Sequence, residues 1–152
     1  MQRIERKQFL PITITEAWAF FSDAQNLSRI TPLEMGFLIT SPLHKGPVYP
    51  GMIISYIVKP LLNIPMRWVT EITQVKEPGY FTDNQLAGPY KFWHHQHFFK
   101  EADGGVQMTD IVHYQAPFGF LGRLAELVFI NKKVNHIFDY RNQVLSDIFP
   151  CR

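Results

Sequence analysis

Several features are scarce in this sequence of 152 residues, and each absence excludes a class of protein. It contains one cysteine, Cys151, so no intramolecular disulfide can form, which is typical of proteins from a reducing compartment. No uninterrupted apolar run approaches the ~20 residues of a membrane-spanning helix. The first residues, MQRIERKQFLP, lack the apolar core of a signal peptide. We therefore expect a soluble cytoplasmic protein without an integral membrane segment.

The net charge is also small. The formal net charge is +2, and apart from Lys132 and Lys133 the basic residues are scattered along the chain. Nucleic-acid-binding domains usually cluster their basic residues, so nucleic acid is not an expected partner. The length and the apolar share of 46% fit one domain, residues 1–152, with a packed core.

Aromatic residues, in contrast, are abundant, at 14% with 13 phenylalanines. So many large rings in one small domain indicate either a dense core or an apolar cavity, and composition alone does not separate the two.

The pattern along the chain predicts an α+β fold. RIERKQFL alternates as a strand does, and Thr13 with Glu16 matches a capping box for a short helix starting near Ile14. AQNLSRITP predicts a second short helix that ends at Pro32. About six β-rich segments joined by turns follow. From Gly119 to Phe149, apolar residues recur at spacings of three and four, which predicts one long helix.

Consecutive hairpin-linked strands imply an antiparallel sheet, and the long helix is the only element large enough to cover its apolar face. The loop PLLNIP, between the strands MIISYIVK and MRWVTEITQV, carries Leu61, Leu62 and Ile64. This indicates either a loop packed on a neighbouring element or an apolar gate at a cavity mouth. The oligomeric state stays open, because the same leucines suit a dimer contact.

The turn Asp103-Gly104 sets the register of one hairpin. Asp-Gly between two extended segments is a favoured two-residue turn, so each residue before it faces a defined residue after it. The predicted pairs are Ala102 with Gly105, Phe99 with Met108, His97 with Asp110, His95 with Val112, and Trp93 with Tyr114. Because strand side chains alternate, all of these point to one face, and His94 and His113 lie on the other.

The face of the predicted pairs is the more apolar, so we expect it to pack against the long helix with the His97–Asp110 pair inside. The preceding hairpin is less constrained. A three-residue loop at 87–89 places Asp83 opposite Trp93 and brings Phe81 and Gln85 to the inner face, whereas a two-residue loop turns all three outward.

Four interpretations of this face are open. The favoured one is an apolar ligand pocket with a few convergent polar groups. The second is catalysis with His97 as general base and Asp110 as its orienter, although no nucleophile motif accompanies the pair. A metal site of His95, His97 and Asp110 is the third. The fourth is a satisfied pair in a filled core. We predict no metal and no other cofactor, because neighbouring histidine and aspartate side chains more often form a hydrogen-bonded pair.

The order of the predicted elements and four sequence motifs together resemble a known protein superfamily. The motifs are FLPITITEAWAFFSDAQNLSRITP, FTDNQLAGPYKFWHHQHFF, GGVQMTDIVHYQAPFG and IFDYR. They are similar to the START-like or SRPBCC superfamily, and within it to a bacterial cyclase/dehydrase-like, ligand-binding branch. The branch pattern is matched at Asp83, Gly88-Pro89, Trp93, His95, His97, Asp110, Tyr114 and Pro117-Phe118-Gly119.

The resemblance implies the helix-grip fold, a curved antiparallel sheet wrapped around a long C-terminal helix with two short helices after the first strand. It also implies a cavity for a small hydrophobic or amphipathic molecule such as a lipid, a polyketide-like or an aromatic compound. With the hairpin register, it predicts Phe81, Trp93 and Tyr114 as walls and Asp83, Gln85, His95, His97 and Asp110 as the polar contacts. The alternative it leaves open is a cyclase- or dehydratase-like enzyme.

Overall fold

A computed structural model describes residues 1–42, 46–60, 62–117, 119 and 129–151. These residues form one antiparallel sheet of seven strands in the order β1-β7-β6-β5-β4-β3-β2. The strands are β1 (Gln2–Leu10), β2 (Leu38–Ile39), β3 (Ile53–Val58), β4 (Met66–Lys76), β5 (Tyr80–Ala87), β6 (Phe92–Ala102) and β7 (Gly105–Gln115). β1 joins the sheet beside β7, so the consecutive hairpins from β3 to β7 lie between two edge strands contributed by the first third of the chain.

Two short helical segments follow β1, as predicted. Helix α1 (Ile14–Phe21) begins with a complete capping box, in which Thr13 Oγ1 accepts from the Glu16 amide at 3.2 Å and the Glu16 carboxylate accepts from the Thr13 amide at 2.8 Å. The second segment is a 3₁₀-helix (Ala24–Ile30) rather than an α-helix, and it ends before Pro32. A further 3₁₀ turn (Leu33–Met35) leads to β2.

Helix α2 (Asn131–Ile148) occupies the C-terminal part of the predicted long helix. The predicted stretch from 120 to 128, which includes Leu124, Leu127 and Val128, lies outside the described residues, and so does Phe118. The residues that α2 buries share one face at helical spacing: Val134, Phe138, Arg141 and Leu145. No described helix combines the length and the apolar character needed to cross a membrane.

Helix α2 packs on the concave face of the sheet. Val134 and Phe138 contact a cluster that includes Ile4, Val112 and Tyr114, whereas Leu145 belongs to the larger core around α1. The β4–β5 ladder shifts register between Val69 and Thr70 and again between Ile72 and Gln74, and such bulges bend a strand. A curved antiparallel sheet around a C-terminal helix, with short helices after β1, confirms the predicted helix-grip α+β fold.

The loop between β3 and β4 joins a hairpin, as PLLNIP predicted. Leu62 and Ile64 are exposed, while Leu61 lies outside the described residues. Neither Leu62 nor Ile64 borders the cavity described below, so the structure gives the predicted gate no support.

Candidate functional site

A cavity of about 170 Å³ lies between the sheet, α1, the first 3₁₀-helix and α2. Most of its wall is apolar or aromatic. The aromatic residues that line it are Phe20, Phe21, Phe37, Tyr56, Trp68, Phe81, Tyr90, Trp93 and Phe138. The aromatic surplus in the composition therefore both packs the core and encloses an internal space.

Besides Asp23 and two tyrosines, four ionisable side chains line this cavity and lie close together: Asp83 from β5, His95 and His97 from β6, and Arg141 from α2. His95 and His97 are two residues apart in one strand and so point to the same face. Asp110 on β7 lies directly behind the two histidines. Together these five residues form what we call the polar cluster.

The register of the β6–β7 hairpin is confirmed. All five predicted pairs are present, from Ala102 with Gly105 to Trp93 with Tyr114, and His94 faces His113 on the opposite side of the sheet. The predicted inner face is the buried one. The Asp103-Gly104 turn is therefore enough on its own to predict that Asp110 lies beside the histidines.

The predicted register of the β5–β6 hairpin is wrong by two residues. Asp83 lies opposite His95 rather than Trp93, and Phe81 lies opposite His97. A shift of two residues leaves the face unchanged, so both side chains still point inward. The reason is a longer connection than predicted. Strand pairing stops at Asn84, and the Gln85 amide bonds both the carbonyl and the amide of Tyr90, at 2.7 and 3.2 Å.

Each histidine donates from Nε2 to a different aspartate. His95 Nε2 lies 2.9 Å from Asp110 Oδ1, and His97 Nε2 lies 2.9 Å from Asp83 Oδ2. The two imidazole rings are 3.7 Å apart between their centroids. Because an ionised carboxylate only accepts, both of these Nε2 atoms carry hydrogen.

The predicted hydrogen bond between His97 and Asp110 is not formed. His97 Nδ1 lies 3.0 Å from Asp110 Oδ1, but the contact fails hydrogen-bond geometry, and the described residues give this nitrogen no partner. The imidazole ring is rigid, so aligning Nε2–H on Asp83 turns Nδ1–H away from the line to Asp110. Asp83, placed by the β5–β6 register, is therefore the direct partner of His97.

Arg141 is a member of the cluster that the sequence reasoning missed. Its side chain is 8% exposed, and Nη1 lies 3.6 Å from Asp110 Oδ1. The guanidinium also stands over the Phe21 ring at 5.4 Å, and Nε has no hydrogen-bond partner among the described residues. A signal was available, because position 141 falls on the apolar stripe of Val134, Phe138 and Leu145.

The charges of the cluster shift its pKa values. Burial on its own raises the pKa of Asp110, but Arg141 and the two histidines outweigh this and hold the pKa well below its usual range. Burial and the neighbouring imidazole lower the pKa of His95. For His97 the burial penalty is outweighed by Asp110 and Asp83, so its pKa is raised. The pKa of His97 therefore lies above that of His95, so His97 is the first of the two imidazoles to take up a proton as the pH falls.

The remaining predicted residues are divided between the cavity and its surroundings. Phe81 stacks on His97 with centroids 4.2 Å apart, and Trp93 packs at a right angle to Trp68. Both line the cavity. The hydroxyl of Tyr114 donates to Asn131 at 2.7 Å. Tyr114, Gln85 and Asp110 stand behind the described wall rather than in it.

One donor atom from each of Asp83, His95 and His97 lies within 4.8 Å of the others, a group that could hold a metal ion. The carboxylate in this group is Asp83, whereas the sequence suggested Asp110. The difference follows from the β5–β6 register, which places Asp83 on the cavity side of the histidines and leaves Asp110 behind them.

Comparison with known proteins supports the fold. No family model matches the chain, and no curated protein does. Similar solved structures include Ms6760 from Mycobacterium smegmatis (16% identity, TM-score 0.66, covering 96% of this chain and 92% of that one). CV1439 from Chromobacterium violaceum has 8% identity and a TM-score of 0.72 over 99% and 98% of the two chains. Ara h 8.0201 has 13% identity and a TM-score of 0.59 over 96% and 98%. Identities this low show the shared fold alone, so membership of the bacterial branch stays a prediction.

Proposed function

We propose that this protein binds a small hydrophobic or amphipathic molecule in the internal cavity. One observation supports the proposal above all: an apolar, aromatic-walled space of about 170 Å³ meets a buried group of ionisable side chains at one wall. Such a combination is typical of small-molecule sites, in which apolar walls provide affinity and a few polar groups fix orientation.

The cavity volume narrows the ligand class. An engineered protein cavity of roughly 150 Å³ is enough to hold benzene. At about 170 Å³, this cavity suits a compound with one aromatic ring or a short acyl chain, and it is far too small for a whole phospholipid. Among the predicted ligand classes, an aromatic molecule is therefore favoured over a membrane lipid.

The positions of the residues suggest their roles. Phe81 and Trp93 would contact the apolar part of the ligand, and Asp83, His95 and His97 its polar end. Asp110, Gln85 and Tyr114 would act indirectly, by holding the histidines, the β5–β6 turn and Asn131 in place.

The test compares native and denaturing mass spectra of the protein purified without a metal column. We expect an extra organic mass in the native spectrum alone. Ala24→Leu, which adds bulk to the cavity wall, should remove that mass, whereas the matched change Ala87→Leu at the exposed end of β5 should keep it. An extra mass that persists in Ala24→Leu would contradict the proposal. Failure of both the wild-type protein and Ala87→Leu to bind an aromatic probe would contradict it as well.

A second candidate function is acid–base catalysis on the bound molecule. It is favoured by the opposite pKa shifts of two adjacent imidazoles at the cavity wall, since such pairs commonly divide the roles of acid and base. In this arrangement His97 is the acid and His95 the base, whereas the sequence suggested His97 as base. Once the bound molecule is identified, deuterium uptake from D₂O at one of its carbons should be lost in His95→Gln with binding retained. Uptake that is unchanged in this variant would rule the role out.

A further inference from the structure

The polar cluster divides its four imidazole nitrogens between two carboxylates. His95 Nε2 and His97 Nδ1 lie 2.9 and 3.0 Å from the same oxygen of Asp110. The other two nitrogens, His95 Nδ1 and His97 Nε2, lie 3.8 and 2.9 Å from the same oxygen of Asp83. Both rings therefore present one nitrogen to the carboxylate behind them and one to the carboxylate at the cavity.

This is the arrangement that metal-binding histidines adopt in proteins. A histidine that coordinates a metal through one nitrogen usually donates its other N–H to a carboxylate, which fixes the tautomer and the ring orientation. Asp110 does this for His95, whose Nε2 donates to it at 2.9 Å, and its Oδ1 also lies 3.0 Å from His97 Nδ1, although without hydrogen-bond geometry. Arg141, 3.6 Å from Asp110, stabilises that carboxylate in the ionised form that the role requires.

We propose that Asp83, His95 and His97 bind one divalent transition-metal ion, through Asp83 Oδ2, His95 Nδ1 and His97 Nε2, the last after it gives up the hydrogen that it donates to Asp83. The donors are already grouped, since one atom from each residue lies within 4.8 Å of the others. Closing the widest separation by about 1 Å brings all three to the ~2.0–2.2 Å at which nitrogen and oxygen ligands bind zinc. The side chains that face the ion are at most 14% exposed.

Charge supports a cation at this position. Asp83 and Asp110 contribute two carboxylates to the cluster and Arg141 one guanidinium, so a cation bound here adds positive charge where carboxylates outnumber guanidinium groups. Two neutral imidazoles and one carboxylate favour zinc, iron(II) or cobalt(II) over magnesium or calcium, which prefer oxygen ligands. Three protein ligands also leave coordination positions open, and these face the cavity, because all three residues line it.

The test uses cobalt(II) and zinc(II) as probes on the tag-free protein after treatment with a chelator. We expect one equivalent of cobalt to produce visible absorption bands and zinc to displace it in a calorimetric titration, with magnesium giving no response. The site does not depend on an organic ligand, so the titration is separate from the mass-spectrometric test above.

Variants distinguish this site from a surface site. His97→Ala and Asp83→Asn should each weaken binding by at least about 100-fold, because loss of the carboxylate behind a ligand alone costs ~10–100-fold. Asp110→Asn should weaken metal binding by only ~10–100-fold. The matched control is His94→Ala combined with His113→Ala, on the outer face of the same two strands, which should leave affinity unchanged.

Circular dichroism of each variant verifies folding. If His97→Ala is unfolded, Asp83→Asn decides. Either of two results overturns the proposal: no cobalt bands at one equivalent in the wild-type protein, or binding that survives Asp83→Asn and is lost in the His94/His113 control.

Discussion

Replacing Arg141 with methionine should destabilise the protein strongly, because it leaves the Asp110 carboxylate buried without its guanidinium. The side chains of Arg141 and Asp110 are 8% and 6% exposed, with Nη1 and Oδ1 3.6 Å apart. Two unit charges at this distance interact by on the order of 4–5 kcal/mol at an effective dielectric constant of about 20. Breaking a buried pair by removing one partner typically costs ~3–5 kcal/mol. Methionine keeps most of the length and apolar volume of the arginine stem.

The matched control is Arg6→Met. Arg6 Nη2 lies 3.7 Å from Asp139 Oδ1, almost the same separation, but the two side chains are 38% and 69% exposed. Exposed pairs are worth ~0–1 kcal/mol, and the additional contact of Arg6 with Asn135 raises the expected loss to about 1 kcal/mol. Burial rather than distance is therefore expected to separate the two variants.

The assay is urea unfolding followed by tryptophan fluorescence, with thermal unfolding as a second measurement. For a chain of this length, a loss of ~3–5 kcal/mol corresponds to a fall in Tm of about 6–20 °C. The difference between wild type and Arg141→Met should narrow as the pH falls below the ordinary aspartate pKa of 3.8, since Asp110 then becomes neutral in the variant. Equal losses of unfolding free energy in Arg141→Met and Arg6→Met would show that burial does not determine the strength of these two ion pairs.

Three further predictions follow from contacts elsewhere in the fold and from the histidine pair. Tyr56→Phe removes the 2.9 Å hydrogen bond to buried Thr70 and should lower the free energy of unfolding in urea by ~1–3 kcal/mol. If adding Thr70→Val to this variant does not recover most of that loss, the hydrogen bond is not its cause. Gly105→Ala should destabilise the protein more than Gly104→Ala in the same assay. An added Cβ at 105 lies 2.2 Å from the Leu10 carbonyl oxygen, whereas at 104 it meets only the cost of a positive φ, ~1–2 kcal/mol; equal losses would contradict this. In the metal-free protein, NMR should show that His97 titrates above pH 6.5. The contribution of protonated His97 to the free energy of unfolding is then full below pH 6.5 and is lost as the pH rises through the folded-state pKa. A His97→Gln variant whose stability has the same pH dependence as that of the wild type would contradict the raised pKa of His97.

Local sequence was sufficient for the parts of this site that depend on neighbouring residues. The Asp103-Gly104 turn determines the β6–β7 register because two residues leave no room for slippage, so the meeting of His97 with Asp110 could be predicted. The capping box at Thr13 and the end of the second short helix before Pro32 are equally local. The order of the elements was enough to predict an antiparallel sheet covered by a long helix, and the resemblance of the motifs added the helix-grip fold.

The β5–β6 connection shows where such reasoning stops. Of the two loop lengths considered, the three-residue loop at 87–89 predicts Asp83 on the inner face, and the structure has it there. The partner of Asp83 depends on how long the loop is, and that depends on the Gln85 side chain bonding the backbone of Tyr90. A register shift of two residues places Asp83 opposite His95 instead of Trp93, and there its carboxylate accepts the hydrogen bond from His97.

Local sequence patterns were enough to predict the main elements, the inner face of the β6–β7 hairpin and the presence of His95, His97 and Asp110 on that face. Only the tertiary structure decided that Arg141 completes the polar cluster, because α2 meets Asp110 across a separation of 31 positions in the chain. It also decided that many of the aromatic rings that pack the core line a cavity as well. Cavity volume depends on sheet curvature and on how far a helix approaches the sheet, and these are properties of packing between distant elements that no local pattern contains.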